Sequence, residues 1–201
     1  MSVISNRLQL HLAAAAAVAA GLAGSSADAQ IVHFANQNRI INSDFNGLYL
    51  NVLTGAYNTT GGAGSTVTGG WHINPYGSTT LDWWQSTTNA VSYVQSAGAL
   101  SNLAAGTAIG ASSTFGTAPL STNLTLNGTS LVGFRFNVGT ATHYGWFRIA
   151  LAGTFGGQPR SIVEWAYNST AGQSINAGAI PAPGALALLG LAGLAGSRRR
   201  R

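Results

Sequence analysis

Apolar and polar side chains alternate through residues 131–138. Val132, Phe134, Phe136 and Val138 fall on one face, and Gly133, Arg135 and Asn137 on the other. A period of two predicts a half-buried antiparallel strand. Gly139-Thr140-Ala141-Thr142 follows as a turn. Residues 143–151 then repeat the pattern, with Gly145, Phe147, Ile149 and Leu151 set against Tyr144, Trp146 and Arg148. Residues 161–167 set Val163, Trp165 and Tyr167 against Ile162, Glu164 and Ala166. Three such segments in succession predict a meander. Shorter β-rich runs at 31–35, 39–42, 48–53, 66–73, 79–85, 91–95 and 120–126 are separated by Gly, Ser, Thr and Asn clusters. About ten short strands at this spacing predict an all-β fold, an antiparallel β-sandwich of jelly-roll-like type. The Ala/Gly/Ser-rich stretch 96–116 predicts a long loop with one helical turn around Leu100 to Ala105.

The two ends break this pattern. Residues 1–29 carry Arg7, an apolar run at 12–23 and Ala27-Asp28-Ala29. That is the layout of a secretory signal peptide, here a signal helix with an A-x-A cleavage site. At the other end Pro181-Ala182-Pro183 precedes an apolar run at 184–196, and Ser197 with Arg198, Arg199, Arg200 and Arg201 closes the chain. Leu186, Leu188, Leu189, Leu191 and Leu194 spread around a helix and leave no polar face, which suits lipid. A helix over this run is about 20 Å long, against about 30 Å of hydrocarbon. No charge occurs between Glu164 and Arg198, so the residues before the prolines can lengthen the embedded stretch. The arginines resist translocation and form a cytoplasmic stop. The chain therefore divides into a signal peptide (1–29), a β-sandwich domain (30–178) and a tail with a transmembrane helix (179–201).

The tail resembles the PEP-CTERM sorting signal of bacterial surface proteins, in its Pro-containing motif, its Ala/Leu/Gly helix and its Arg cluster. The family motif is Pro-Glu-Pro, and Ala182 stands here where the Glu belongs. The resemblance extends to His143-Tyr144-Gly145-Trp146-Phe147-Arg148, Ile162-Val163-Glu164-Trp165-Ala166-Tyr167 and Ile175-Asn176-Ala177-Gly178. It implies export, residence in the inner membrane as a precursor, and processing by an exosortase-type membrane transpeptidase. The mature protein would then act at the cell surface or in the extracellular matrix, in contact with exopolysaccharide. It implies no enzymatic activity and no cofactor.

Charge narrows the partners. The formal charge of +5 is misleading, because Arg198 to Arg201 supply most of it. Between the two ends stand Arg39, Arg135, Arg148 and Arg160 against Asp44, Asp82 and Glu164, with no lysine. That leaves no basic footprint for nucleic acid. The absence of cysteine excludes a disulfide scaffold and thiol chemistry.

Few residues offer chemistry. Trp83 and Trp84 are adjacent, so on a strand they point to opposite faces. One belongs to the core, and the other can stack on a sugar, with Trp71, Tyr76 and Tyr93 as further members of a carbohydrate-binding platform. Packing of all these rings in a β-core is the simpler use of them. Asn42, Asp44 and Asn46 alternate before Gly47 like the start of a calcium loop. Only Asp44 is charged, and a turn rich in Asn and Asp explains the same residues. His33, His72 and His143 share no metal-ligand spacing. A glycosidase needs two carboxylates from Asp44, Asp82 and Glu164, and pairing of Glu164 with Arg148 or Arg135 across neighbouring strands is the simpler expectation. The reading that results is a non-enzymatic exported surface protein. A carbohydrate-binding module is its alternative, and a hydrolase stands behind both.

Overall fold

A computed structural model describes residues 30–60 and 69–181. The longest alternating segments pair as their pattern predicts. Strand β11 (Gly128–Val138) runs antiparallel to β12 (Ala141–Leu151), in register from Gly128 opposite Leu151 to Val138 opposite Ala141. The turn between them is two residues long, tighter than the sequence suggested. Gly139 occupies its first central position with φ of 61°, as a hairpin matched to strand twist requires. β13 (Ser161–Asn168) adds to the far side of β12 and completes the meander.

The remaining strands extend this sheet on both sides. β1 (Ile31–Phe34) and β2 (Arg39–Ile40) pair with opposite ends of β13. β7 (Ser92–Ser96) pairs with β11, and β8 (Ala99–Leu100) and β10 (Phe115–Gly116) pair with β7. A second, four-stranded sheet has the order β4 (Tyr57–Asn58), β3 (Tyr49–Leu50), β5 (Ile73–Tyr76), β6 (Asp82–Gln85). β9 (Ala108–Ile109) and β14 (Ile175–Asn176) form a two-stranded ribbon. Among the described residues every ladder between two strands is antiparallel, a single isolated bridge from Ala99 of β8 to Leu120 is parallel, and there is no helix.

Two apolar clusters follow from the alternation. Phe134, Phe136, Phe147, Ile149 and Trp165 on one face of the large sheet join Leu50, Ile73 and Trp83 of the small sheet. Tyr144, Trp146, Leu131 and Ala166 on the opposite face join Ile109 and Ile175 of the ribbon. Gly145 sits opposite Phe134, and a Cβ there would lie 2.6 Å from the Phe134 ring. The ring thus occupies the space that a side chain would need.

Three expectations change. Ile162 packs with Trp165 and not with Ala166, because a bulge breaks the period. Arg148 faces Glu164, but Ile149 faces Ile162, so Val163 is an extra residue. Its carbonyl accepts the amides of Gln37 and Asn38. Residues 96–116 hold β8, β9 and β10 and no helical turn, since Leu100 and Ile109 are fully buried and pin an otherwise small-residue stretch. Residues 120–126 form turns rather than a strand, with Leu124 buried and Leu120 exposed. Residues 66–68 of another expected strand lie outside the described residues.

Candidate functional site

Alternation on β6 separates the two tryptophans. Trp83 is 3% exposed, stacks on Phe147 at 5.4 Å, and donates its indole N–H to the Ser121 hydroxyl at 2.8 Å. Trp84 points the other way and is 48% exposed. It leans on Trp71, with ring centroids 5.3 Å apart, and Tyr49 meets Trp71 edge-on at 5.2 Å. Both supporting rings are buried, so Trp84 is braced from below. Tyr93 is in the core against Trp83.

Trp84, Tyr76, Phe45 and Asn74 line a hollow of about 220 Å³ on the outer side of the small sheet. Phe45 is 81% exposed and meets Tyr76 edge-on at 5.8 Å. An aromatic this exposed needs a rigid turn to hold it. Asp44 supplies one, its carboxylate accepting the amides of Asn46 at 2.9 Å and Gly47 at 2.8 Å. Gly47 has φ of 56°, and a Cβ there would fall 1.9 Å from the Pro75 carbonyl oxygen. Asn74 lies opposite Trp84 in the β5–β6 ladder and is 1% exposed. Its amide donates to the Asn46 carbonyl at 2.7 Å, whereas its Oδ1 has no hydrogen-bond partner. Burial, with a smaller contribution from Tyr76, raises the Tyr49 phenol above its ordinary range, so this wall of the site stays uncharged.

Arg160 holds the base of the site together. It is fully buried, and all five of its N–H groups are taken by backbone carbonyls. Nε donates to Ile41, Nη1 to Thr80 and Phe155, and Nη2 to Asn42 and Gly77. Ile41 and Asn42 precede the Phe45 turn, Gly77 and Thr80 lie between β5 and β6, and Phe155 lies between β12 and β13. Burial lowers the Arg160 pKa from its ordinary value, and the charges of Asp44 and Asp82 oppose that shift.

The other predicted residues scatter. Asn42 donates to the Thr59 carbonyl, Asp44 caps its own turn, and the Asn46 carbonyl receives Asn74. The calcium-loop residues thus share a turn and have separate partners. His33 binds Glu164 at 3.0 Å, His72 accepts from the Val52 amide, and His143 bonds the Asn168 carbonyl. Among the described residues no group of three or more His, Cys, Asp or Glu could hold a metal ion. Glu164 takes Arg148 at 2.8 Å and His33, whereas Asp82 accepts from Thr80. Burial pushes Glu164 up, but hydrogen bonds and charge from Arg148 and His33 together leave it below its ordinary value. Pro181 is exposed at the end of the described residues, and Ala182, Pro183, the tail leucines, the arginine run and the signal segment lie outside them. Among the described residues no helix is long and apolar enough to cross a membrane.

Sequence reasoning singled out Trp84, Trp71 and Tyr76 but not Phe45, Asn74, Tyr49 or Arg160. Phe45 had a signal, since a large aromatic inside Asn-Ser-Asp-Phe-Asn-Gly has no core face to serve. Asn74 and Arg160 had none, because their importance lies in contacts with distant segments.

Such a site can stack one ring face on Trp84, above a buried acceptor, Asn74 Oδ1, that no protein group takes. Comparisons with known proteins add no assignment: no family model, no curated protein and no solved structure matches the chain.

Proposed function

We propose that this chain is an exported, non-enzymatic surface or extracellular-matrix protein that binds polysaccharide through the Trp84 hollow. The observation that carries this reading is an exposed, braced indole beside Tyr76 and Phe45, over a buried acceptor without a partner. A pyranose has an apolar C–H face for the indole and hydroxyl donors for the acceptor. Binding sites of this kind combine apolar walls with few placed polar groups. The two sheets that share the main core act as a β-sandwich of jelly-roll type, with the hollow on the outside of the smaller one.

Export rests on the ends of the chain: a signal peptide at 1–29 and a membrane-anchored tail at 179–201 that resembles a PEP-CTERM signal and engages an exosortase-type transpeptidase. Glycan-array binding of the purified full chain tests the ligand reading. Binding that survives Trp84→Ala unchanged would reject the hollow. Mass spectrometry of the surface-exposed protein tests sorting, and a C-terminus still ending at Arg201 would reject cleavage.

A further inference from the structure

We infer a second subsite for an anionic group at the seam between the two sheets, built on Arg39 and Tyr57, so that the bound polysaccharide is an acidic one. The inference rests on the reading of the Trp84 hollow as a glycan site.

Arg39 comes from β2, at one end of β13 in the large sheet, and Tyr57 from β4, the edge of the small one. The guanidinium carbon lies 4.1 Å over the Tyr57 ring. Nη2 donates to Gln37 at 2.7 Å, so both the plane and the direction of the group are held. Nε is buried and has no acceptor. A buried donor left in this state is rare in a folded protein. Glu164 is the acid in both ion pairs of the described residues, and it belongs to Arg148 and His33. Among the described residues Arg39 is thus a held cation without a carboxylate.

The hollow in front of it measures about 270 Å³. Its lining of Asn38, Arg39, Ile40, Asn42, Tyr57 and Thr59 contains no acid. A carboxylate or sulfate ester entering there finds one guanidinium and neutral amides, while Ile40 and Tyr57, both well exposed, flank it with apolar surface. Arg135 differs, because its Nε is already bonded to Ser92 at 2.7 Å.

Asn42 lines one hollow and Phe45 the other, and with only Ser43 and Asp44 between them their Cα atoms lie at most about 11 Å apart. One oligosaccharide can reach both, with a ring on Trp84 and an acidic group at Arg39.

Affinity electrophoresis of the full chain through gels containing polygalacturonate, dextran sulfate or neutral pullulan tests this at low and high salt. The expected result is retardation by one of the acidic polymers that salt abolishes. It falls about tenfold in Arg39→Gln, falls less in Arg39→Lys, which keeps the charge but not the plane, and persists in Arg135→Gln. The polymer that retards identifies the anion as carboxylate or sulfate ester. Equal retardation of wild type and Arg39→Gln would overturn the subsite and leave the Trp84 reading intact. So would an equal loss in Arg135→Gln, which would mark a response to net charge alone. Acetate competing as well as free galacturonate would make small carboxylates the occupant and overturn the polysaccharide assignment. Retardation by none of the polymers, together with an empty glycan array, would remove both readings. Thermal unfolding of each variant controls for folding. If Arg39→Gln is destabilised, salt-independent retention of wild type still overturns the inference.

Discussion

Asn74 stands opposite Trp84 across the β5–β6 ladder, and the two meet one hollow as its floor and its rim. The pair separates binding from stability. Trp84→Ala should weaken glycan binding by about tenfold, or about 1.4 kcal/mol, with little effect on the midpoint of urea unfolding. Trp83→Ala should do the reverse, costing about 3–5 kcal/mol of stability because it empties a packed core site. Titration calorimetry and urea denaturation of the two variants check this, and a similar profile for both would contradict it.

Asn74→Leu should leave stability within about 1 kcal/mol of wild type, since it removes an orphaned acceptor together with one hydrogen bond. It should nevertheless weaken binding about as much as Trp84→Ala. Unchanged affinity in calorimetry would show that Oδ1 serves no ligand.

Arg160→Lys should destabilise by about 3 kcal/mol although the charge is retained. An ammonium has three donors for the five carbonyls that the guanidinium serves. The same variant should loosen the Phe45 turn, seen as faster amide exchange at Asn46 and Gly47 and as weaker glycan binding.

Stability should fall on the acid side in two stages. Burial lowers His72 from 6.5 to about 4. Above pH 6.5 the ring is neutral in both states and the full stability is present. Between pH 6.5 and about 4 only the unfolded chain takes the proton, so stability declines, by about 3 kcal/mol in total. Glu164 acts lower: its folded pKa is depressed, so its contribution is present above its unfolded value and lost as pH drops through the folded one. His72→Gln should flatten the first stage alone, as measured by the urea midpoint against pH.

Ala97 occupies an exposed turn with φ of 50° beside Gly98. An L side chain is disfavoured there, so Ala97→Gly should raise stability by about 1 kcal/mol, read as an increase in melting temperature.

Much of this architecture was legible because alternation is a local property. β11 and β12 keep their period, and their two faces were separated correctly from Val132 and Phe147 outward, but they are not half-buried, because the β9–β14 ribbon covers Leu131, Tyr144 and Trp146 on the second face. β13 misled at Ile162, since one extra residue inverts everything before it and a bulge leaves no mark in composition. The opposition of Trp83 and Trp84 was also local. Which of them faces out was readable from their neighbours, because Trp84 shares a face with Asp82 and Trp83 with Leu81. The hollow itself was not legible. Asn74 and Phe45 meet only after two turns close against each other, and nothing near Pro159-Arg160 in sequence announces that an arginine will gather carbonyls from three other segments.

That gathering has a consequence for the order of maturation. Arg160 bonds residues 119, 118, 83 and 80 positions earlier in the chain. The amino-terminal turns therefore lack their tether until residue 160 has been made and has arrived. Nascent chains stalled short of it should leave the Phe45 loop open to protease, and lengthening them past it should bring resistance in a single step.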